Sequence, residues 1–300
     1  MPPLANVPLP VKDLAAIQRG STIIVQFTVP SLTTEGQPIP PPVVLDLRAG
    51  AADPFEENQW ASAARRFTPA EVKGTTARYE IPARDFAGKE IILGVRVATG
   101  RKESTWSNFF VLPVVAAPEA PASLAFNQTP GGVHLTWHGR GSAFRVFRKS
   151  GESPFVRVGD VNANEWTDGG TELGKTYVYI VQAVVKLDSG KEAESEFSAP
   201  VSVTPRDIFP PAAPQSVQGS IAPNSVELNW ERNLEEDLAG YRVYRAEGDG
   251  AFEKLADLPG IPSYSDRKVM AGKTYRYTVT ALDQVGNESP RSAAVTVIMP

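Results

Sequence analysis

The sequence predicts an all-β protein built as three tandem antiparallel β-sandwiches in an elongated rod. Three observations point there. A segment of roughly a hundred residues occurs twice, with a blurred third copy ahead of it, which marks tandem units rather than one large fold. Pro and Gly are plentiful, 27 and 24 among 300 residues, amid many Val, Thr and Ile. That is the composition of short strands joined by turns. The stretches between turns alternate apolar and polar residues, so each offers one face to a core.

Two landmarks carry the repeat. Phe144-Arg145-Val146-Phe147-Arg148 recurs as Tyr241-Arg242-Val243-Tyr244-Arg245, and Gly174-Lys175-Thr176-Tyr177-Val178-Tyr179 recurs as Gly272-Lys273-Thr274-Tyr275-Arg276-Tyr277. The third unit, residues 210–299, reads as seven strands at short spacing, the pattern of an antiparallel sandwich. Val226, Leu228 and Trp230 point inward on one strand, Tyr241 and Val243 on the next. Tyr275, Tyr277, Val279 and Ala281 share one face of a long strand before the turn Asp283–Asn287. The second unit, 118–205, follows the same order. Val133, Leu135 and Trp137 replace the Trp230 strand, Trp166-Thr167-Asp168 matches Tyr264-Ser265-Asp266, and Gly190-Lys191-Glu192 matches Gly286-Asn287-Glu288. The first unit, 6–114, diverges. Ile23 to Phe27 plays the Trp strand with Phe27 in the Trp place, Val44 to Arg48 plays the Tyr241 strand, and Ile91 and Leu93 stand for Tyr275 and Tyr277. It also carries an insertion over about 50–66. Two Pro-rich stretches, Pro113–Pro121 and Pro205–Pro214, are expected to be stiff, extended connectors, because Pro locks φ and removes backbone donors.

Units two and three resemble fibronectin type III domains, an immunoglobulin-like fold, of the sort found in bacterial exported proteins. Trp137 and Trp230, the Tyr241 strand, Gly272-Lys273-Thr274-Tyr275 and the turn Asp283–Ser289 carry the resemblance. It implies that Tyr177 and Tyr275 are tyrosine-corner residues, whose hydroxyls tie strand to loop. Unit one lacks both the Trp and the corner Tyr and joins them by register.

Composition narrows the function. A net charge of −4 without a basic field argues against nucleic acid. No stretch approaches the ~20 apolar residues of a membrane span. The absence of Cys removes disulfides, thiol nucleophiles and Cys-based zinc sites. Only His134 and His138 are present, too little material for Ser–His chemistry, and they read as ordinary polar-face residues. The carboxylate groups Asp53, Glu56, Glu57 and Glu235, Glu236, Asp237 read as solvated loops, without the alternating spacing of a calcium loop. Gly139–Gly141 and Gly248–Gly250 read as hairpin turns rather than phosphate loops. No catalytic, cofactor or metal residue is therefore expected.

The interaction candidates are three aromatics. Trp60 lies in the insertion, on a short helix or an irregular strand, where an exposed Trp would anchor a partner and a buried one would pack the insertion onto unit one. Trp106 lies in Ser104-Thr105-Trp106-Ser107, a partial echo of the Trp-Ser repeat of cytokine receptors. Tyr244 points outward like Phe147, each expected under cation–π cover from Arg242 and Arg145. The expected function is a non-catalytic structural or interaction module on the bacterial cell envelope, for protein binding, adhesion or spacing. The alternative is a carbohydrate-binding accessory segment of a polysaccharide-degrading enzyme. The partner is an unidentified protein or a polysaccharide. The chain is expected to be exported, to the cell surface or periplasm. Its Pro-rich start over residues 2–10 resembles the tether of a lipoprotein whose lipid-bearing Cys precedes residue 2.

If Tyr275 is a corner residue, Tyr275→Phe will destabilise the third unit by about 1 kcal/mol through one lost hydrogen bond. Comparative thermal melts check this; a curve superimposable on the parent's would contradict it.

Overall fold

A computed structural model of the chain describes residues 6–300; the first part of the expected 2–10 tether lies outside the described residues. Strand dominates, and the buried apolar residues gather into three separate cores. By compactness the chain divides in two, with one unit ending at Pro205 and the next starting at Arg206. The first unit holds two of the cores.

In the C-terminal unit one sheet pairs Gln218–Ala222, Ser225–Asn229 and Ser263–Asp266. The other runs Glu253–Pro259, Leu238–Glu247, Thr274–Asp283 and Val295–Ile298. Alternation places Val226, Leu228 and Trp230 from the first sheet against Tyr241, Val243, Tyr275, Tyr277, Val279 and Ala281 from the second. The Trp230 and Tyr241 rings meet edge to face at 5.2 Å. In the second sandwich Trp137 meets Phe144 in the same way at 5.5 Å. Both corner tyrosines are tied as the resemblance implies. The backbone N–H of Glu172 donates to the Tyr177 hydroxyl, and that of Met270 donates to the Tyr275 hydroxyl, each at 3.1 Å.

A second buried tie repeats in the same pair. Asp168 accepts from the Tyr179 hydroxyl at 2.8 Å, from Arg148 at 2.7 Å and from the N–H of Gly170 at 2.9 Å. Asp266 accepts from the Tyr277 hydroxyl, Arg245 and the N–H of Lys268, each at 2.9 Å. A carboxylate taken out of water needs this many donors. Burial, and then the adjoining carboxylate, push both phenols well above their usual range. The first sandwich has no such tie: the hydroxyl of Tyr79, fully buried, has no partner among the described residues.

The first sandwich otherwise keeps the expected register. Phe27, Ile91 and Leu93 are buried in its core. The insertion forms a helix, Glu57–Ala63, capped by the Glu56 carboxylate, which accepts from the N–H groups of Asn58 and Gln59. That capping role replaces the solvated loop expected of Glu56.

Three further expectations of the architecture change. Gly139–Gly141 is not a hairpin turn, since the flanking strands Gly132–His138 and Ala143–Lys149 lie in different sheets. Pro113–Pro121 is not simply a spacer. Val114 is buried in the first core, and Val115 exchanges backbone hydrogen bonds with the Gln18 amide. The first two sandwiches also share a sheet. Ala15–Arg19 pairs in parallel with Glu192–Phe197, and nine strands run through both cores.

Asp266→Ala is expected to destabilise the C-terminal unit by about 2–4 kcal/mol, because it strands a tyrosine hydroxyl and a partly buried guanidinium together. Urea unfolding followed at Trp230 measures it; a loss below that of Tyr275→Phe would remove the tie from the account.

Candidate functional site

The three aromatic candidates sit on the outer faces of the sheets, and a shared motif positions the group. Glu-Ser-x-x-Ser occurs at Glu103–Ser107, Glu194–Ser198 and Glu288–Ser292. All six serines are buried. Each hydroxyl accepts from a backbone N–H of the preceding long strand. Val97 and Val95 donate to Ser104 and Ser107 at 3.0 and 3.1 Å. Ala183 and Val181 donate to Ser195 and Ser198 at 2.9 and 3.0 Å. Ala281 and Val279 donate to Ser289 and Ser292 at 2.9 and 3.0 Å. Each hydroxyl then donates to the carbonyl of the next residue. Side chains thus zip the last segment of every sandwich to its neighbour where the regular ladder is interrupted. The motif was open to a sequence reader, but spacing hid it. Ala183 and Ser195 are 12 residues apart, against 8 for Ala281 and Ser289. The longer hairpin puts Glu194, and not Glu192, in the place of Glu288.

The residue before the second serine faces outward: Trp106, Phe197 and Arg291. Each completes a cation–aromatic column. Arg96 and Arg48 lie over the Trp106 ring at 4.3 and 5.4 Å. Arg19 lies over Phe197 at 5.4 Å, and Phe147 meets Phe197 edge to face. Arg291 covers Tyr244 at 4.2 Å. The cover expected of Arg242 over Tyr244 is therefore supplied by Arg291, and Phe147, expected under Arg145, meets the Phe197 ring instead. Arg242 is held instead by Asp257 and Glu288, each at 2.6 Å, and Arg145 by Glu192 and Glu194. The Tyr244 hydroxyl donates to Glu288.

Trp60 is only 4 % exposed. It packs edge to face on Trp106 at 5.1 Å and on Phe109 at 5.3 Å, with Phe55 closing the group. Gly50 and Gly94 leave room for it: a Cβ at Gly50 would stand 2.8 Å from the Trp60 nitrogen, and one at Gly94 2.9 Å from Phe109. The insertion helix is thus pinned by Trp60. Trp106 and Tyr244 stay partly accessible. Beneath the column, Asp46 receives Arg48, Arg66 and Arg96. Burial pushes its carboxyl up, but the Arg48 hydrogen bond and the three positive charges hold it below the usual range.

One juxtaposition was not legible in the sequence. In the C-terminal unit Asp207, Asp237 and Asp283 bring carboxylate oxygens within 4.8 Å of one another, from three segments far apart in the chain. Oxygen donors at this spacing suit a hard cation. Asp283, however, is already saturated. It accepts from the N–H groups of Val285, Gly286 and Asn287 at 3.0, 2.7 and 2.8 Å, and from the Asn287 amide at 2.7 Å. Asp237 therefore belongs to this cluster rather than to a solvated loop. Its neighbour Glu235 accepts from the N–H of Ala212 and is held below its usual range by that bond. His134 bonds Thr167 on the strand face, and His138 is exposed.

Residues 212–298 match the family model described as "Fibronectin type III domain". The C-terminal unit is a fibronectin type III domain, and the second sandwich repeats its corner tyrosine, buried aspartate and serine pair. Among curated proteins, the chain is 28% identical over 190 residues to "Exoglucanase B" of Cellulomonas fimi, a match covering 62% of this chain and 17% of that protein. It is 31% identical over 88 residues to "Amylopullulanase" of Thermoanaerobacterium saccharolyticum, covering 29% of this chain and 7% of that one. The chain thus spans well under a quarter of the length of these relatives. Among solved structures, a two-domain fibronectin type III segment of chicken tenascin aligns at 16% identity with a TM-score of 0.39, covering 60% of this chain and all of that one.

Burial pushes the Asp283 carboxyl up, but its four hydrogen bonds outweigh this and hold it below the usual carboxylate range. A depressed folded value means stability that is present above the unfolded value and lost as pH falls through the folded one. Asp283→Asn should therefore be less stable than the parent near neutral pH, by on the order of 1 kcal/mol, with the gap closing below pH ~4. Melts of both proteins across that range test the sign.

Proposed function

We propose that this chain is a non-catalytic structural and interaction module, made of fibronectin type III-like units over 6–114, 118–205 and 210–299, that spaces or presents the parts of a larger exported bacterial protein. One observation carries the reading. Stretches of this chain match parts of proteins named for different chemistries, an exoglucanase and an amylopullulanase, and make up a small share of each. Likeness to small parts of two enzymes of different specificity fits a module that accompanies the chemistry rather than one that performs it. The chemistry of the buried and partly buried carboxylates agrees: Asp46, Asp168, Asp266 and Asp283 are each engaged by several donors, as structural groups are.

The relatives' names also favour a second reading, a carbohydrate-binding accessory segment. Its candidates are Trp106 and Tyr244; Trp60 is occupied in packing. The geometry of the aromatic group favours packing over sugar stacking, since its rings meet edge to face rather than forming a coplanar row. Export fits enzymes named for polymers too large to enter a cell. Surface or periplasmic placement, adhesion, and a lipid anchor upstream of residue 2 are finer forms of the same proposal.

The chain should stay in solution when mixed with insoluble cellulose or starch, and its melting temperature should be unmoved by soluble oligosaccharides. Retention that Trp106→Ala abolishes would replace the spacer reading with the carbohydrate one.

A further inference from the structure

The first two sandwiches meet along a strand pair, and its chemistry goes beyond what a connector needs. Gln18 pairs with Ala193 and Arg19 with Glu194, in parallel. The N–H of Gly20 donates to the Glu194 carbonyl at 2.7 Å. Gly20 has φ +51, a left-handed conformation that favours Gly, and it stands against the Glu196 side chain. Arg19 grips the Glu194 carboxylate through Nε at 3.0 Å and Nη2 at 2.8 Å. That carboxylate, nearly buried, is held from its own side by Arg145 at 2.5 Å and the Gln182 amide at 3.2 Å. Gln18 is fully buried and bonds Gly20 and both backbone groups of Val115. At the rim, Lys191 lies over the Phe110 ring at 4.3 Å.

The strand that makes this contact is the part of the second sandwich that departs from the third. The longer hairpin supplies the edge Glu192–Phe197, where the third unit has only a single bridge, Leu282 to Glu288. The pairing also covers two sheet edges that would otherwise present open backbone groups.

We propose that this strand pair is a clasp that locks the first two sandwiches into one rigid body, with Glu194 as its anchor and the connector 113–121 carrying no hinge. The clasp would fix the orientation of anything held by the first sandwich relative to the second. This inference does not depend on the proposed function.

The absence of native Cys makes the test direct. Spin labels on Val72→Cys and Val156→Cys, both exposed and on the two outermost strands of the nine-stranded sheet, report the distance across the joint by pulsed dipolar spectroscopy. The labelled parent should give one narrow distance distribution. Arg19→Glu, which sets two carboxylates face to face, should broaden it while far-UV circular dichroism keeps its strand signal. Arg19→Gln, a milder change on a part-exposed edge, should broaden it less. A broad distribution in the labelled parent overturns the clasp whatever the variants do. So does a distribution that stays narrow in a folded Arg19→Glu.

Discussion

The edge of each sandwich, where backbone N–H and C=O groups run out of strand partners, is the constraint from which most of this structure follows. Buried backbone polar groups must be paired, and open edges invite association. The chain meets that demand in two ways. In all three sandwiches a pair of buried serines accepts the N–H groups of the long strand where the ladder lapses. Between the first two, a strand from one sandwich completes the edge of the other. Both devices use the same segment, Glu-Ser-x-x-Ser. Its glutamates reach arginines on the outer sheet face, Arg96, Arg145 and Arg242.

The outer faces follow from that segment. With its serines turned in, the intervening residue is turned out, and each sandwich stacks an arginine against an aromatic ring there. The polarity reverses in the third unit, where Arg291 comes from the segment and Tyr244 from the strand. In the first, Trp106 also forms the seat for Trp60, and so for the inserted helix. What looks in sequence like a set of display aromatics is in large part the fastening of surface elements, which suits a module that holds geometry.

The buried charges have the same character. Asp168 and Asp266 tie tyrosine, arginine and loop backbone into single points, and Glu194 joins Arg145 and Gln182 of its own sandwich to Arg19 of the other. Taking these carboxylates out of water is costly unless several donors meet each one, and here several do. Such groups are committed to the fold.

The all-β class, the repeat, the inward residues of each strand and the corner tyrosines Tyr177 and Tyr275 were legible from sequence, because alternation and local turn chemistry act over a few residues. The register of the first unit was legible too, through Phe27, Ile91 and Leu93, although the residues themselves differ. The cover of Tyr244 by Arg291, the burial of Trp60 behind Gly50 and Gly94, and the convergence of Asp207, Asp237 and Asp283 were not. Each depends on segments that only the folded chain brings together. The pairing of Ala15–Arg19 with Glu192–Phe197 is the extreme case: its ion pair joins residues 175 positions apart. A strand's own pattern says which face it buries, but which strand it lies beside is decided by the packing of whole sheets.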